Sequence, residues 1–211
     1  MILAIDGAST ELSIALAEPD GGAIRDDSWT SAQRQSAELL PRILDLLASA
    51  GRRLDEVTAL AIGTGPGSFT GLRVALSLGK GLAFALDRPI AGVPSLVAWL
   101  NQEPACHAAV ARAGAREAYL LVRGEPDPLV VDRDRLREVL AGHEIVAPAE
   151  LAEAFALTAA RSPAAAMAVA RLAAARLVAD PAGDDLRRLE PIYLRAPRGL
   201  DAVPQREVRW L

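Results

Sequence analysis

Residues 63–86 read GTGPGSFTGLRVALSLGKGLAFAL, a glycine-rich loop that runs directly into an apolar, helix-forming segment. The apolar run Leu60, Ala61 and Ile62 precedes it. Gly63, Gly65, Pro66 and Gly67 stop that run as a strand, because they favour tight turns and bare backbone. Two readings of the loop follow. Gly63, Gly65, Gly67 and Gly71 permit close backbone approach, and Ser68 and Thr70 can cap a helix whose free N–H groups would receive an anion. The same residues equally make a tight strand-to-helix connection that holds no ligand. The loop has neither the Gly-Lys-Ser/Thr ending of a P-loop nor the spaced acid of a dinucleotide fingerprint, so its pattern favours the plain connection.

The helix after the loop carries more information. At about 100° per residue from Gly71, the polar side chains Arg73, Ser77 and Lys80 fall in one narrow strip. Val74, Leu76, Leu78, Leu82, Phe84 and Leu86 surround the rest, so the helix is expected to be buried on more than one side. It reads as too short to span a bilayer, and Arg73 and Lys80 also argue against a span. Gly71, Ala75, Gly79 and Ala83 form a smooth row at spacing four, read as a face for another helix.

The chain of 211 residues is 51% hydrophobic, ample for a core in one domain or two small ones. A formal net charge of -4 gives no basic field for direct nucleic-acid binding. Cys106 alone excludes an internal disulfide, and His107 and His143 show no zinc spacing. The strand-like opening MILAID leaves no room for a signal peptide, so a soluble cytoplasmic protein is expected.

Residues 1–5, 13–17 and 23–29 read as a three-stranded meander with turns at Asp6-Gly7-Ala8-Ser9-Thr10 and Pro19-Asp20-Gly21-Gly22. Asp6, followed by the hydroxyls of Ser9 and Thr10, suits either a hydrated metal and a nucleotide phosphate or a self-capped turn; alone, the turn is the simpler reading. Residues 36–50 form an amphipathic helix whose apolar side chains cover an arc of about 160°, wider than the roughly 100° that one core requires. The surplus predicts cover by the next helix or by another subunit. Residues 90–93 form a strand and 94–100 a helix, giving a mixed sheet with helices on its faces, an RNase H-like arrangement. Beyond Asn101, short strands are expected at 108–111, 119–123, 129–131 and 144–147, and short helices at 133–140 and 149–156. Ser162-Pro163 is expected to open a strong alanine-rich helix running to about Val178, followed by an extended tail from Pro181.

Five stretches together closely resemble the TsaB (YeaZ) family: MILAIDGAST at the N-terminus, SAELLPRILDLL at 36–47, the 63–86 segment, IAGVPSL at 90–96 and LEPIYLR at 189–195. GPGSFTGLR at 65–73 is the most specific of them. The resemblance implies an α/β fold of the actin, heat-shock chaperone and sugar-kinase (ASKHA) superfamily, with two RNase H-like halves and an abbreviated second one. The expected division is residues 1–100, carrying the partner-binding helices, and 101–211, holding the final helix and tail.

It further implies a scaffold subunit in making threonylcarbamoyladenosine next to the anticodon of tRNA, binding the catalytic TsaD subunit and working with the ATPase TsaE. ATP and metal would belong to those partners, and tRNA would be met only through the complex. TsaD carries a His-x-x-x-His metal motif after the strand equivalent to 90–93; here that stretch is Pro94-Ser95-Leu96-Val97-Ala98-Trp99, so this chain is not expected to perform the transfer. The family's partner surface lies on the first two helices, which points to Leu39, Leu40, Ile43, Leu47, Ala75, Gly79, Leu82 and Ala83 as contacts. On that assignment Ala75→Arg abolishes the complex. The same face would form a homodimer when TsaD is absent. Two departures stand out: Gln35 replaces the family's usual histidine, and Ala111-Arg112 replaces an Asp-Ala-Arg sequence. The competing reading is an ATP-binding enzyme using Asp6, Ser9 and Thr10, with Gly65, Gly67, Ser68, Thr70 and Arg73 as its loop; it lacks a recognisable second phosphate loop.

Overall fold

The computed structural model describes residues 1–31, 34–157 and 160–194. Large and small side chains alternate along its first strands, and that alternation sets the layering. In β1 (Ile2–Asp6), β2 (Glu11–Ala17) and β4 (Ala59–Gly63), Leu3, Ile5, Ile14, Leu16, Leu60 and Ile62 point to one face, and Ala4, Ala15, Ala17 and Ala61 to the other. With β3 (Ala23–Thr30) and β5 (Ile90–Val93) they form a sheet of order β3-β2-β1-β4-β5, an antiparallel meander followed by two parallel strands. Its large-residue face is covered by α1 (Gln35–Ser49) and α2 (Phe69–Leu86). Its alanine face receives α6 (Ala166–Ala179), with α3 (Ser95–Gln102) beside it. Small side chains on both partners let α6 approach the sheet closely.

The second sheet repeats the first. β6 (Ala108–Arg112), β7 (Glu117–Val122) and β8 (Leu129–Asp132) are an antiparallel meander, and β9 (Ile145–Val146) and β10 (Ala160–Arg161) add parallel strands in the order β10-β9-β6-β7-β8. One face shares a core with α3 and α6 through Ala109, Ala111 and Leu121; the other packs Leu136 and Leu140 of α4 (Arg133–Leu140) and Leu151 and Phe155 of α5 (Ala149–Phe155). Helix, sheet, helix, sheet and helix layers alternate, with the same strand order in both sheets and shorter strands in the second. This is the expected pair of RNase H-like halves.

Three details differ from the sequence reading. α6 begins at Ala166, not at Ser162-Pro163: the Ser162 hydroxyl bonds Glu11 and the Ala164 N–H, while the helix's first N–H is capped from across the molecule by Ser13 Oγ, 3.1 Å away. Although α6 was grouped with the second half, it lies on the first sheet. α2 starts at Phe69 and is 18 residues long, enough by length and composition alone to cross a membrane, and its inner row is seated on the first sheet. The predicted tail from 195 onward lies outside the described residues.

β5 is an edge strand, and the segment after α6 closes it. Asp184 donates its N–H to Ile90 O at 2.8 Å and accepts the Gly92 N–H on Oδ2 at 2.6 Å. Arg176 donates to Gly92 O and pairs with Asp184 Oδ1 at 2.7 Å. The outward polar groups of the edge are thereby taken by the chain itself.

The smooth row of α2 faces the sheet rather than another helix. A Cβ at Gly71 would overlap the Gly7 carbonyl, and one at Gly79 would overlap the Ile62 side chain. Gly71→Ala is therefore expected to destabilise by about 2–4 kcal/mol, because the clash is with backbone. Gly81, whose Cβ would meet nothing within 4 Å, is the control: Gly81→Ala should stabilise by about 0.5–1 kcal/mol. Urea unfolding of both variants measures the contrast.

Candidate functional site

The first strand ends on a buried acid. Asp6 is 2% exposed, and its carboxylate accepts the Ser95 hydroxyl on Oδ1 at 2.8 Å and the Trp99 indole N–H on Oδ2 at 2.7 Å, with the Ala8 N–H at 3.3 Å. Ser95 Oγ in turn accepts the Gly65 N–H at 3.0 Å. One carboxylate thus links the end of β1, the glycine loop and α3. Burial pushes its pKa above the ordinary 3.8, opposed by the donors around it, Trp99 foremost. Gly63 has no side chain because a Cβ there would occupy the position of Asp6 Oδ1.

The glycine loop packs on the turn after β1 in the manner of the plain connection. The Ser68 N–H donates to Ala8 O at 2.6 Å, Ser68 Oγ caps the Gly71 N–H at 3.3 Å, and a Cβ at Gly67 would overlap Ala8 O. Gly65 has φ +88°, where glycine is favoured. Ser9 is buried and exchanges hydrogen bonds with Glu11, and Thr10 Oγ1 donates to Glu150 at 2.5 Å. Arg73 is exposed, its guanidinium 4.9 Å above the Phe69 ring.

Between the two sheets lies a cleft of about 550 Å³, walled by Ser9 and Thr10, by Gly67, Ser68 and Thr70, by Arg112, and by the rings of Phe69, Tyr119 and Tyr193. Of the loop residues singled out from the sequence, Ser9, Thr10, Gly67, Ser68 and Thr70 lie together on this wall, and Asp6, Gly65 and Arg73 do not line the cleft. The sequence reading missed Phe69, Tyr119 and Tyr193, which come from three separate elements and carry no local pattern. Asp6 points away from this space into the protein. Among the described residues, no three His, Cys, Asp or Glu side chains gather in a metal-binding group.

The helix face needs correction. Leu39, Ile43 and Leu47 of α1 and Ala75, Gly79 and Ala83 of α2 lie in the core against the first sheet, and Leu82 is half-buried. These residues hold the fold, and Ala75→Arg would disrupt it rather than report on docking. Of the eight, Leu40 is exposed. The apolar surface that remains outside on α1 is Ala37, Leu40, Pro41, Leu44 and Ala48, a stripe at helical spacing, with Leu40 38% and Leu44 46% exposed. The wide arc had been read correctly as more than one core needs; spacing alone did not divide its inner from its outer part. Gln35 is buried at the start of α1, and Ala111 is buried in β6 opposite Tyr119.

A family model described as TsaD, tRNA N6-adenosine threonylcarbamoyltransferase, matches residues 28–179. The tRNA threonylcarbamoyladenosine biosynthesis protein TsaB of Escherichia coli (strain K12) is 36% identical over 96 residues, 46% of this chain and 41% of that protein. TsaB of Bacillus subtilis (strain 168) is 35% identical over 95 residues, 45% of this chain and again 41% of the relative. The match thus spans less than half the length of these curated relatives. YeaZ from Pseudomonas aeruginosa superposes with a TM-score of 0.69 at 27% identity, over 92% of this chain and 99% of that structure.

Two variants test the Asp6 knot. Trp99→Phe strands a buried carboxylate oxygen and should cost about 1–3 kcal/mol. Because the folded-state pKa of Asp6 is raised, the folded protein holds the proton to higher pH than the unfolded chain, and stability falls as pH rises through that interval. Relative to Asp6→Asn, the native protein is expected to be most stable below pH 3.8 and to lose that advantage as the buried carboxyl ionises. Urea midpoints across pH for both proteins measure this, and a difference that stays flat with pH contradicts it.

Proposed function

Because the chain belongs to the TsaB/YeaZ family, within the wider family that the TsaD model describes, we propose that it is a non-catalytic scaffold for forming threonylcarbamoyladenosine on tRNA. In this reading it works in the cytoplasm, binds and stabilises a TsaD homologue, and acts with a TsaE homologue, which joins the complex. ATP and metal belong to those partners, and tRNA is met through the complex.

The observation that carries the reading is the exposed stripe Ala37, Leu40, Pro41, Leu44 and Ala48 on α1. The helix already has a complete core on its inner side through Leu39, Ile43 and Leu47, so the outer stripe adds nothing to the fold and suits a second helical surface. The enzyme alternative has less support. It asks Asp6 to hold a metal and phosphate, whereas that carboxylate is bonded to Ser95 and Trp99 inside the protein. In the absence of TsaD the same stripe would pair two copies of this chain, so homodimer and heterodimer would exclude each other.

Light scattering after size exclusion, on this chain alone and mixed with the TsaD homologue of the same organism, tests the proposal. A one-to-one complex is expected, and Leu44→Arg should weaken it at least about 30-fold, as for a central interface residue, with the thermal midpoint unchanged. Separate elution with and without ATP would refute the scaffold reading. Isothermal titration with ATP and magnesium then decides for or against the enzyme.

A further inference from the structure

The LEPIYLR stretch has no role in the scaffold reading, yet its described part occupies a specific course. From the β5 edge, where Asp184 is anchored, the chain runs back toward the glycine loop. Leu189 packs over Gly92, leaving no space for a Cβ there. The Ile192 N–H donates to Thr64 O at 2.8 Å, on the residue that follows β4. Tyr193 then sets its ring 5.8 Å from that of Phe69, the first residue of α2. Ile192 and Tyr193 both wall the cleft, and so does Phe69.

Phe69 therefore has two neighbourhoods. It is 45% exposed at the N-terminal turn of α2, under the Arg73 guanidinium, and it also supports Tyr193, the ring with which the described C-terminal segment walls the cleft. We propose that residues 184–193 are a strap coupling the first turn of α2 to the cleft wall, so that a partner covering Phe69 and Arg73 fixes the position of Tyr193 and with it the shape of the cleft. The strap is held firmly at its far end by the Asp184–Arg176 pair and by Asp184's bonds to Ile90 and Gly92. At its near end, among the described residues, the Ile192 bond to Thr64 O and the Tyr193 ring contact with Phe69 hold it. A displacement of Phe69 is thus felt at Tyr193 before it is felt at Asp184. Only the effect of a partner rests on the scaffold reading; the coupling itself belongs to the isolated chain.

Amide hydrogen exchange on the full chain tests it, with Ile192, whose N–H is held by Thr64 O, as the reporter. Phe69→Ala is expected to speed exchange at this amide by about three- to tenfold, the range for loss of one aromatic pair, while α6 keeps its protection. Unchanged exchange at Ile192 overturns the coupling. Asp184→Ala works from the other end: it should speed exchange at Gly92 and at Ile192 and also at the first turn of α2. An effect confined to Gly92 would make the segment an edge cover only and would overturn the proposal. Adding the TsaD homologue should slow exchange at Ile192 in the native chain and leave it fast in Phe69→Ala; an Ile192 amide that stays unchanged in a complex that has formed counts against the strap. If no complex forms, the scaffold reading fails, while the two variants still decide the coupling.

Discussion

A carboxylate removed from water has to find its hydrogen bonds inside the protein, and Asp6 meets that demand in a way that organises everything near the cleft. Its partners come from the start of α3, from the Trp99 indole and from the turn that follows β1. Trp99 is itself fully buried and needs an acceptor for its N–H, so each group satisfies the other. The requirement then spreads: Ser95 passes it to Gly65, and the space taken by the carboxylate forbids a side chain at Gly63. Much of the glycine loop thus follows from an internal bond, with no ligand required to account for it.

A second constraint is the sorting of side-chain size between the two faces of the first sheet. Leucine and isoleucine face α1 and α2, and alanine faces α6, itself rich in alanine. Large residues fill the wide space under two helices side by side; small ones allow a single central helix to sit close to a sheet. The acidic residues Asp26 and Asp27 on the edge strand β3, and the bonded edge of β5, leave neither side of this sheet as an open apolar border.

Period-two alternation, the meander turns and the loop punctuation made the first half legible from sequence, because each signal is local. The surplus of apolar surface on α1 was equally visible. Its division was not, because Leu39 and Leu40 are identical in chemistry and differ only in which side of the helix meets the sheet. The start of α6 was misplaced for a similar reason: Ser162-Pro163 looks like a cap, whereas the hydroxyl that performs the capping is Ser13 on a strand far away in sequence. β10 also escaped, being two residues long and too short to show a period, whereas β9 falls inside the strand expected at 144–147. The aromatic wall of the cleft, from Phe69, Tyr119 and Tyr193, is assembled only by the fold.

The position of α6 also bears on how the chain is made. A ribosome releases the five strands of the first sheet together, but the helix that covers their alanine face and the residues that close the β5 edge emerge only after the whole of the second sheet. Until then the alanine face stays wet and one border stays unpaired, so the first hundred residues have a sheet without its second layer. Closing contacts over such sequence separations favours slow, late consolidation over stepwise folding from the N-terminus. Loss of the last third of the chain would therefore be felt first in the opening strands, at the opposite end of the sequence.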